Sequence, residues 1–528
     1  MNIAEIVQAW QMELGLTERP EPHDGLLGET FVRLPVEYLH RAIEMLVRRF
    51  NVWHLSTITG QDLGEEIELL YHFWSGQGLT VRISLPLASA TLPTVTDLIP
   101  GAEFYEREVA EMLGVTFVGH PNPAPLLLPD DWNGPPPLRQ SAEPAARTSQ
   151  PLAHLTPSAP ACPEVVPSSR RIIIPIGPQH PMLKEPLSYL LTAEGERIVN
   201  SALRLGYVHR GIERLCQERN YLQNLHLLER ICGICSYIHT TVYCQGVEAL
   251  LGVEVPRRAR YLRTLLCELE RIHSHLLWLG VLAENIGFTT IFMYTWRDRE
   301  ITLDIMEELT GGRVSHAANT IGGVRMDLSM SQIESVAERL RQLTEQIERV
   351  RDLIAHERTF RLRTLDVGQL SKAQVYRYCV VGPLARASGV NIDLRREAPY
   401  AAYDELRPQV ITHHEGDVWA RTWVRVEEMM VSLSLCQQIL RNLPDSPLTV
   451  EVPRRVPAGE VVSRAEAPRG EVIYYIRSDG SDKPARVKVR TPTLTALITL
   501  SDQMRDITIA DVPAVIGGMD LCIACGDR

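Results

Sequence analysis

Two Cys-x-x-Cys pairs, Cys232/Cys235 and Cys522/Cys525, constrain this chain more than any other feature, because they lie far apart and the second is three residues from its end. Two thiolates at i and i+3 can face one metal centre, and four sulfurs from two turns can complete one site. On spacing alone four readings stay open: a structural four-cysteine zinc site, an iron–sulfur cluster, a redox dithiol and a nickel–iron centre. Zinc ribbons usually join their pairs over about 15–20 residues, whereas most of a large helical region intervenes here. The C-terminus must thread back into the interior, which suits an enclosed reactive centre better than a surface staple.

His239 follows Cys235 by four residues, and the spacing predicts that it shares a helix face with Cys232 and Cys235, with Cys244 pointing the opposite way. An imidazole there can donate a hydrogen bond to a metal-bound sulfur; a structural histidine is the plainer reading. The remaining cysteines, Cys162, Cys216, Cys244, Cys267, Cys379 and Cys436, read as small buried hydrophobes or incidental thiols. Ten cysteines in 528 residues are too few for a disulfide scaffold. A formal net charge of −11 argues against nucleic acid as a partner. The longest apolar stretches, such as Leu276 to Leu282, fall well short of the roughly 20 residues of a spanning helix. Other subunits must then hold the protein at any membrane. The start, MNIAEIVQAWQMEL, carries Glu5 and amphipathic spacing instead of a basic, apolar leader, and is read as cytoplasmic.

The fold class reads as α+β. A small N-terminal α+β domain covers 1–139, a Pro/Ala/Ser-rich linker 140–168, and a large, mainly α-helical domain with peripheral β-strands 169–528. The first domain is predicted to carry helices at Val36–Arg49 and Glu103–Leu113 around strands at Val52–Thr59, Glu66–Trp74 and Thr80–Leu85. The second opens with a strand at Arg171–Ile176 and a hairpin turned by Glu194-Gly195-Glu196. Apolar residues from Ile333 to Leu353, at alternating three- and four-residue steps, predict one packing helix over Ser331–Ile354. Another is expected over Asp417–Leu443, before strands at Glu460–Ser463, Glu471–Arg477 and Ala485–Val489.

The stretches Arg230-Ile-Cys-Gly-Ile-Cys-Ser-Tyr-Ile-His239 and Asp520-Leu-Cys-Ile-Ala-Cys-Gly-Asp-Arg528 resemble the two metal-binding motifs of nickel–iron hydrogenase large subunits. The branch is the energy-converting one related to respiratory complex I, as in formate hydrogenlyase and CO-linked hydrogenases. Supporting pieces are Gly177-Pro-Gln-His-Pro181, His209-Arg-Gly-Ile-Glu213, Glu268-Leu-Glu-Arg-Ile272 with His275, Gly322-Gly-Val-Arg325, and Ser388-Gly-Val-Asn-Ile-Asp393 with Arg395. Glu103-Phe-Tyr-Glu-Arg-Glu-Val109 and Gly119-His-Pro121 resemble the complex I 30 kDa subunit, which implies a fusion of 30 kDa-like and 49 kDa-like modules. Complex I homologues lack the four cysteines; this chain has all of them. Where many members have Asp-Pro-Cys, this chain has Asp520-Leu521-Cys522, without the backbone restraint of proline. The chain stops at Arg528, the position after which related precursors are cut.

The resemblance implies Cys232 and Cys522 as terminal nickel ligands and Cys235 and Cys525 as bridges to an iron that also carries carbon monoxide and cyanide. It implies Glu213 as the proton carrier beyond the thiolates, Arg469 over the open metal face, and His239 as hydrogen-bond partner of the sulfurs. Asp393 and Arg395 read as support for the site or as a structural ion pair, His413-His414-Glu415 as a polar loop, and His180 as inherited architecture. Expected partners are an iron–sulfur small subunit with a 4Fe-4S cluster, integral-membrane antiporter-like and anchor subunits, and formate dehydrogenase, CO dehydrogenase or ferredoxin as electron donor. The rival reading is a complex I-like NADH/quinone oxidoreductase subunit serving as an electron-transfer scaffold without a nickel–iron centre.

Overall fold

The computed structural model describes residues 2–16, 20–140 and 171–528. The linker expected over 140–168 lies outside these residues apart from Gln140, and so does Cys162.

The N-terminal half is a five-stranded mixed sheet with helices packed on it. The strand order is Pro22–Asp24, Glu29–Arg33, Gly78–Pro86, Glu66–Trp74, Leu55–Asp62. Only the contact between Glu29–Arg33 and Gly78–Pro86 is parallel. The expected helix over Val36–Arg49 appears as a short 3-10 turn, Val36–Tyr38, followed by the α-helix Leu39–Arg48. Its buried stripe of Leu39, Ala42, Ile43 and Leu46 meets the helix Ile3–Leu14, whose Trp10 indole donates to Ala42 O at 3.2 Å.

From Arg171 the chain makes an antiparallel sheet of Arg171–Ile176, Ser188–Glu194 and Arg197–Arg204, with the hairpin turning at the predicted glycine. Five long helices follow: Ser236–Leu251, Arg257–Asn285, Thr289–Thr310, Met330–His356 and Val418–Arg441. The predicted stripe buries Val336, Leu340, Leu343, Ile347 and Val350, and Ser329 with Gln332 closes that helix's N-terminus by a reciprocal capping box. The core of this bundle includes all four motif cysteines.

The last sheet is antiparallel: Gly459–Ala467, Gly470–Ser478 and Pro484–Arg490. Its first strand runs four residues beyond the predicted end at Ser463. The reason is electrostatic: Arg464 and Glu466 are buried, Arg464 pairing with Glu29 at 2.7 Å and Glu466 with Arg386 at 2.8 Å. Charged residues that look solvent-facing in sequence are internal here because their partners come from distant segments. Phe31 and Leu70 of the first sheet pack on Val462, Ile473 and Tyr475 of the last. Leu494, Leu497, Leu500, Met504 and Val515 join the same core as the N-terminal sheet and its helices.

Candidate metal centre

The first cysteine motif forms the entry to the helix Ser236–Leu251. Cys232 lies before it in extended conformation, and Cys235 is the N-cap residue. Cys232 therefore does not share the helix face of Cys235 and His239, contrary to the spacing argument. The turn through Gly233 instead curls the backbone around its sulfur, so that Ile234 and Cys235 N–H groups point at Cys232 Sγ at 3.2 and 3.4 Å. The first-turn N–H groups of Tyr237 and Ile238, which have no partner within the helix, are satisfied by the buried carboxylate of Glu270, at 2.6 and 3.1 Å. In the second motif it is the first cysteine that caps: Cys522 is the N-cap of the short helix Ile523–Asp527, and Cys525 lies within that helix.

The motifs meet first cysteine to first and second to second. Cys232 Sγ lies 3.2 Å from Cys522 Sγ, and Cys235 Sγ lies 3.5 Å from Cys525 Sγ. Both separations exceed a disulfide bond, and the nine described cysteines are all unbridged thiols. His239 Nε2 faces the second pair, 3.8 Å from Cys235 Sγ and 3.7 Å from Cys525 Sγ, while its Nδ1 is 2.8 Å from the Tyr474 hydroxyl. Burial holds the imidazole neutral by lowering its pKa to about 4. In the tautomer in which Tyr474 O–H donates to Nδ1, the ring proton sits on Nε2, which faces the sulfurs.

Hydrogen bonds from Cys235, Cys522 and Cys525 hold the Cys232 thiol well below its ordinary pKa. Those same sulfur–sulfur bonds push the other three up. Four sulfurs this close cannot all shed their protons without a cation among them. As a donor set they fit a soft, thiolate-demanding metal group. Cys232, Cys522 and Cys525 form one possible ligand cluster, and Cys235, His239 and Cys525 another. Cys244 is buried away from both.

Arg469, in the turn between the strands Gly459–Ala467 and Gly470–Ser478, is buried. Its Nε donates to Asp520 O at 2.8 Å and Nη2 to Asp520 Oδ1 at 2.9 Å, while Cys522, Cys235 and Cys232 all lie within its electrostatic reach. Asp520, at φ +55°, also faces Lys184 at 3.6 Å and Arg425 at 3.7 Å.

Glu213, the proton carrier that the resemblance implies, lies buried among cations. It accepts from Val489 N–H at 3.1 Å and pairs with Arg486 at 2.8 Å, Arg528 at 3.2 Å and Lys488 at 3.4 Å. Burial pushes its pKa up, but the three cations together hold it well below the usual carboxylate range. Sequence reasoning passed over Glu185, whose Oε2 accepts from Ala524 N–H at 2.8 Å between the cysteines of the second motif. Its charge reaches Cys522. It lies in the loop of Pro178 to Pro186, which borders an open pocket of about 430 Å³. A lone carboxylate between Lys184 and Pro186 gives no periodic signal; its nearness to the Gly177–Pro181 motif was the available hint.

Asp393 and Arg395 pair at 2.7 Å inside a buried network in which Arg395 also meets Glu268 at 3.2 Å, and Arg386 joins Glu428 at 2.8 Å. His413, His414 and Glu415 lie in a loop, with His413 paired to Glu415, and His180 is exposed.

A helix bundle enclosing four convergent thiols and an imidazole defines a chain able to hold a soft metal centre. The family described as respiratory-chain NADH dehydrogenase, 49 Kd subunit, matches residues 285–455 and 449–528; its 30 Kd counterpart matches 32–148, and nickel-dependent hydrogenase matches 210–285. The carbon monoxide-induced hydrogenase of Rhodospirillum rubrum is 39% identical, covering 67% of this chain and 99% of its own. Formate hydrogenlyase subunit 5 of Escherichia coli is 34% identical over 94% of this chain and 88% of its own. A polypeptide of the NADH-quinone oxidoreductase of Phocaeicola vulgatus is also 34% identical, over 94% and 99%. A chain in the structure of the membrane-bound sulfane sulfur reductase, an archaeal respiratory membrane complex, superposes with TM-score 0.66 at 31% identity, over 68% of this chain and 99% of that one. The chain belongs to the nickel–iron hydrogenase large-subunit family, in the branch related to complex I, with 30 kDa-like and 49 kDa-like parts fused.

Proposed function

We propose that this chain is the catalytic large subunit of a membrane-associated nickel–iron hydrogenase, working in the direction of H2 evolution coupled to ion translocation. The observation that carries the reading is the buried gathering of four thiols as two cross-motif pairs, first with first and second with second. Cys232 and Cys522 would hold nickel terminally, and Cys235 and Cys525 would bridge it to an iron bearing carbon monoxide and cyanide. When bound, that group supplies heterolytic activation of H2.

The protein's own residues supply the rest. The neutral His239 donates toward Cys235 and Cys525 and moderates their charge. Arg469, fastened by Asp520, presents a fixed positive field beside the sulfurs. Glu185 carries protons between the cysteine sulfurs and the solvent-open pocket, and Glu213 has the task of an anchor. No helix among the described residues is long and apolar enough to cross a membrane. Peripheral attachment on the cytoplasmic face therefore falls to partner subunits. Electrons arrive through an iron–sulfur small subunit with a 4Fe-4S cluster, from formate dehydrogenase, CO dehydrogenase or ferredoxin as donor, and antiporter-like membrane subunits move the coupled ion.

The test is metal content and infrared spectroscopy on the matured complex. Nickel with iron, and bands from iron-bound carbon monoxide and cyanide, are expected. Cys525→Ser should abolish hydrogen-dependent dye reduction while subunits still associate. Zinc in place of nickel, or unchanged activity in the variant, would sink the reading and favour the electron-transfer scaffold.

A further inference from the structure

The N-terminal sheet and its helices reach the segment that ends the second cysteine motif and the strand that follows Arg469, and do so with buried charge. Glu108, on the helix Glu103–Leu113, meets Lys488 Nζ at 2.5 Å and the side chain of Arg528. Arg528 in turn reaches Glu213 at 3.2 Å, and its backbone N–H donates to Ala524 O at 3.1 Å. One residue thus ties Glu108 to the turn that holds Cys525. A second grip falls on Glu471, two residues after Arg469. His54 Nε2 lies 2.9 Å from its carboxylate and Ser56 Oγ 3.3 Å, and Arg490 clasps it while donating from Nε to Ser56 O at 2.6 Å. The turn between has no slack: a Cβ on Gly382 would come within 2.3 Å of Arg469 O.

Burying these ions is costly, and apolar residues of similar volume would join the halves at least as firmly. The sheets already do so through Phe31, Leu70, Val462, Ile473 and Tyr475. What a buried ion pair adds over an apolar contact is a fixed register, and both grips fall beside residues of the centre. We propose that the N-terminal half is a positioning element for the metal centre, with Glu108 as the residue through which it seats the Cys522–Arg528 segment. The inference rests on the hydrogenase reading for what that segment holds, but the seating itself does not.

The experiment compares Glu108→Gln in the whole complex with wild type, with Glu108→Asp, and with Glu103→Gln on the same helix. Hydrogen exchange is read over residues 520–528, beside nickel content and the infrared bands. In Glu108→Gln, exchange of that segment should rise at least tenfold while the strand Leu55–Asp62 keeps its wild-type rate. Nickel occupancy should fall at least twofold, with the bands of the remaining centres displaced. Glu108→Asp should fall between, and Glu103→Gln should match wild type. Wild-type exchange in Glu108→Gln would overturn the inference, as would a rise spread equally over Leu55–Asp62. Absence of nickel from the wild-type complex would instead defeat the hydrogenase reading, while the exchange comparison still decides the seating.

Discussion

Two carboxylates reach the second cysteine motif from different sides, and their surroundings differ in kind. Glu213 is caged by three cations and a backbone N–H, so that taking up a proton means leaving Arg486 without its carboxylate and Lys488 and Arg528 with Glu108 alone. Glu185 meets this motif through one described bond, from Ala524 N–H, and its loop borders an open pocket. What counts for proton transfer is whether a group can change charge without disturbing its neighbours.

The sharpest way to break this comparison is Glu185→Gln. Dye-linked hydrogen turnover should fall about 100-fold or more, the scale of a lost general acid–base, while nickel stays bound; near-wild-type turnover would return the relay to Glu213. Glu213→Gln should do the reverse. Turnover should drop less than tenfold, but stability to denaturant should fall by about 3–5 kcal/mol at neutral pH, as when one member of a buried ion pair is removed. The sign of its pH dependence follows from a folded-state pKa held below the unfolded one. The carboxylate stabilises the fold above the ordinary value of about 4.3. That contribution disappears as pH falls through the folded value, so the gap between wild type and Glu213→Gln should close in acid. A constant gap in denaturation curves from pH 7 downward would contradict the cage.

Smaller effects sharpen the environment around the other cysteine pair. His239→Asn should lower turnover about tenfold, equivalent to about 1.4 kcal/mol and at the upper end for an ordinary intramolecular hydrogen bond, and displace the infrared bands. Unmoved bands would deny the imidazole its contact with the sulfurs. Tyr474→Phe removes only the bond to His239 Nδ1. It should cost about 1 kcal/mol, with a band displacement in the same direction and smaller; a displacement larger than that of His239→Asn would reverse the order of influence.

Much of this was legible in the sequence, for identifiable reasons. The helix over Glu103–Leu113 and the strand over Glu66–Trp74 have the predicted bounds because their periodicity and punctuation are local. The hairpin through Gly195 was marked by its turn residues. The convergence of the cysteines was readable from their types and from the motif resemblance. Illegible were contacts whose partners lie hundreds of residues apart. Arg464 looked like the end of a strand because Glu29 lies 435 residues away. Cys232 was assigned to a helix face because an i, i+3 spacing cannot tell a helix from the turn that enters one. Glu213 and Glu185 could not be ranked, because the cations around the first come from the last sheet and from Arg528.

The facing of the first and last sheets bears on the covalent link between the halves. Phe31 and Leu70 against Val462, Ile473 and Tyr475, with the ion pairs of Glu29, Glu108 and Glu471, form an interface built among the described residues. Any covalent link between two such parts contributes an effective concentration, whose size its length and stiffness set. Two polypeptides severed there would find the same mutual fit, with an assembly that then depends on how much of each is present.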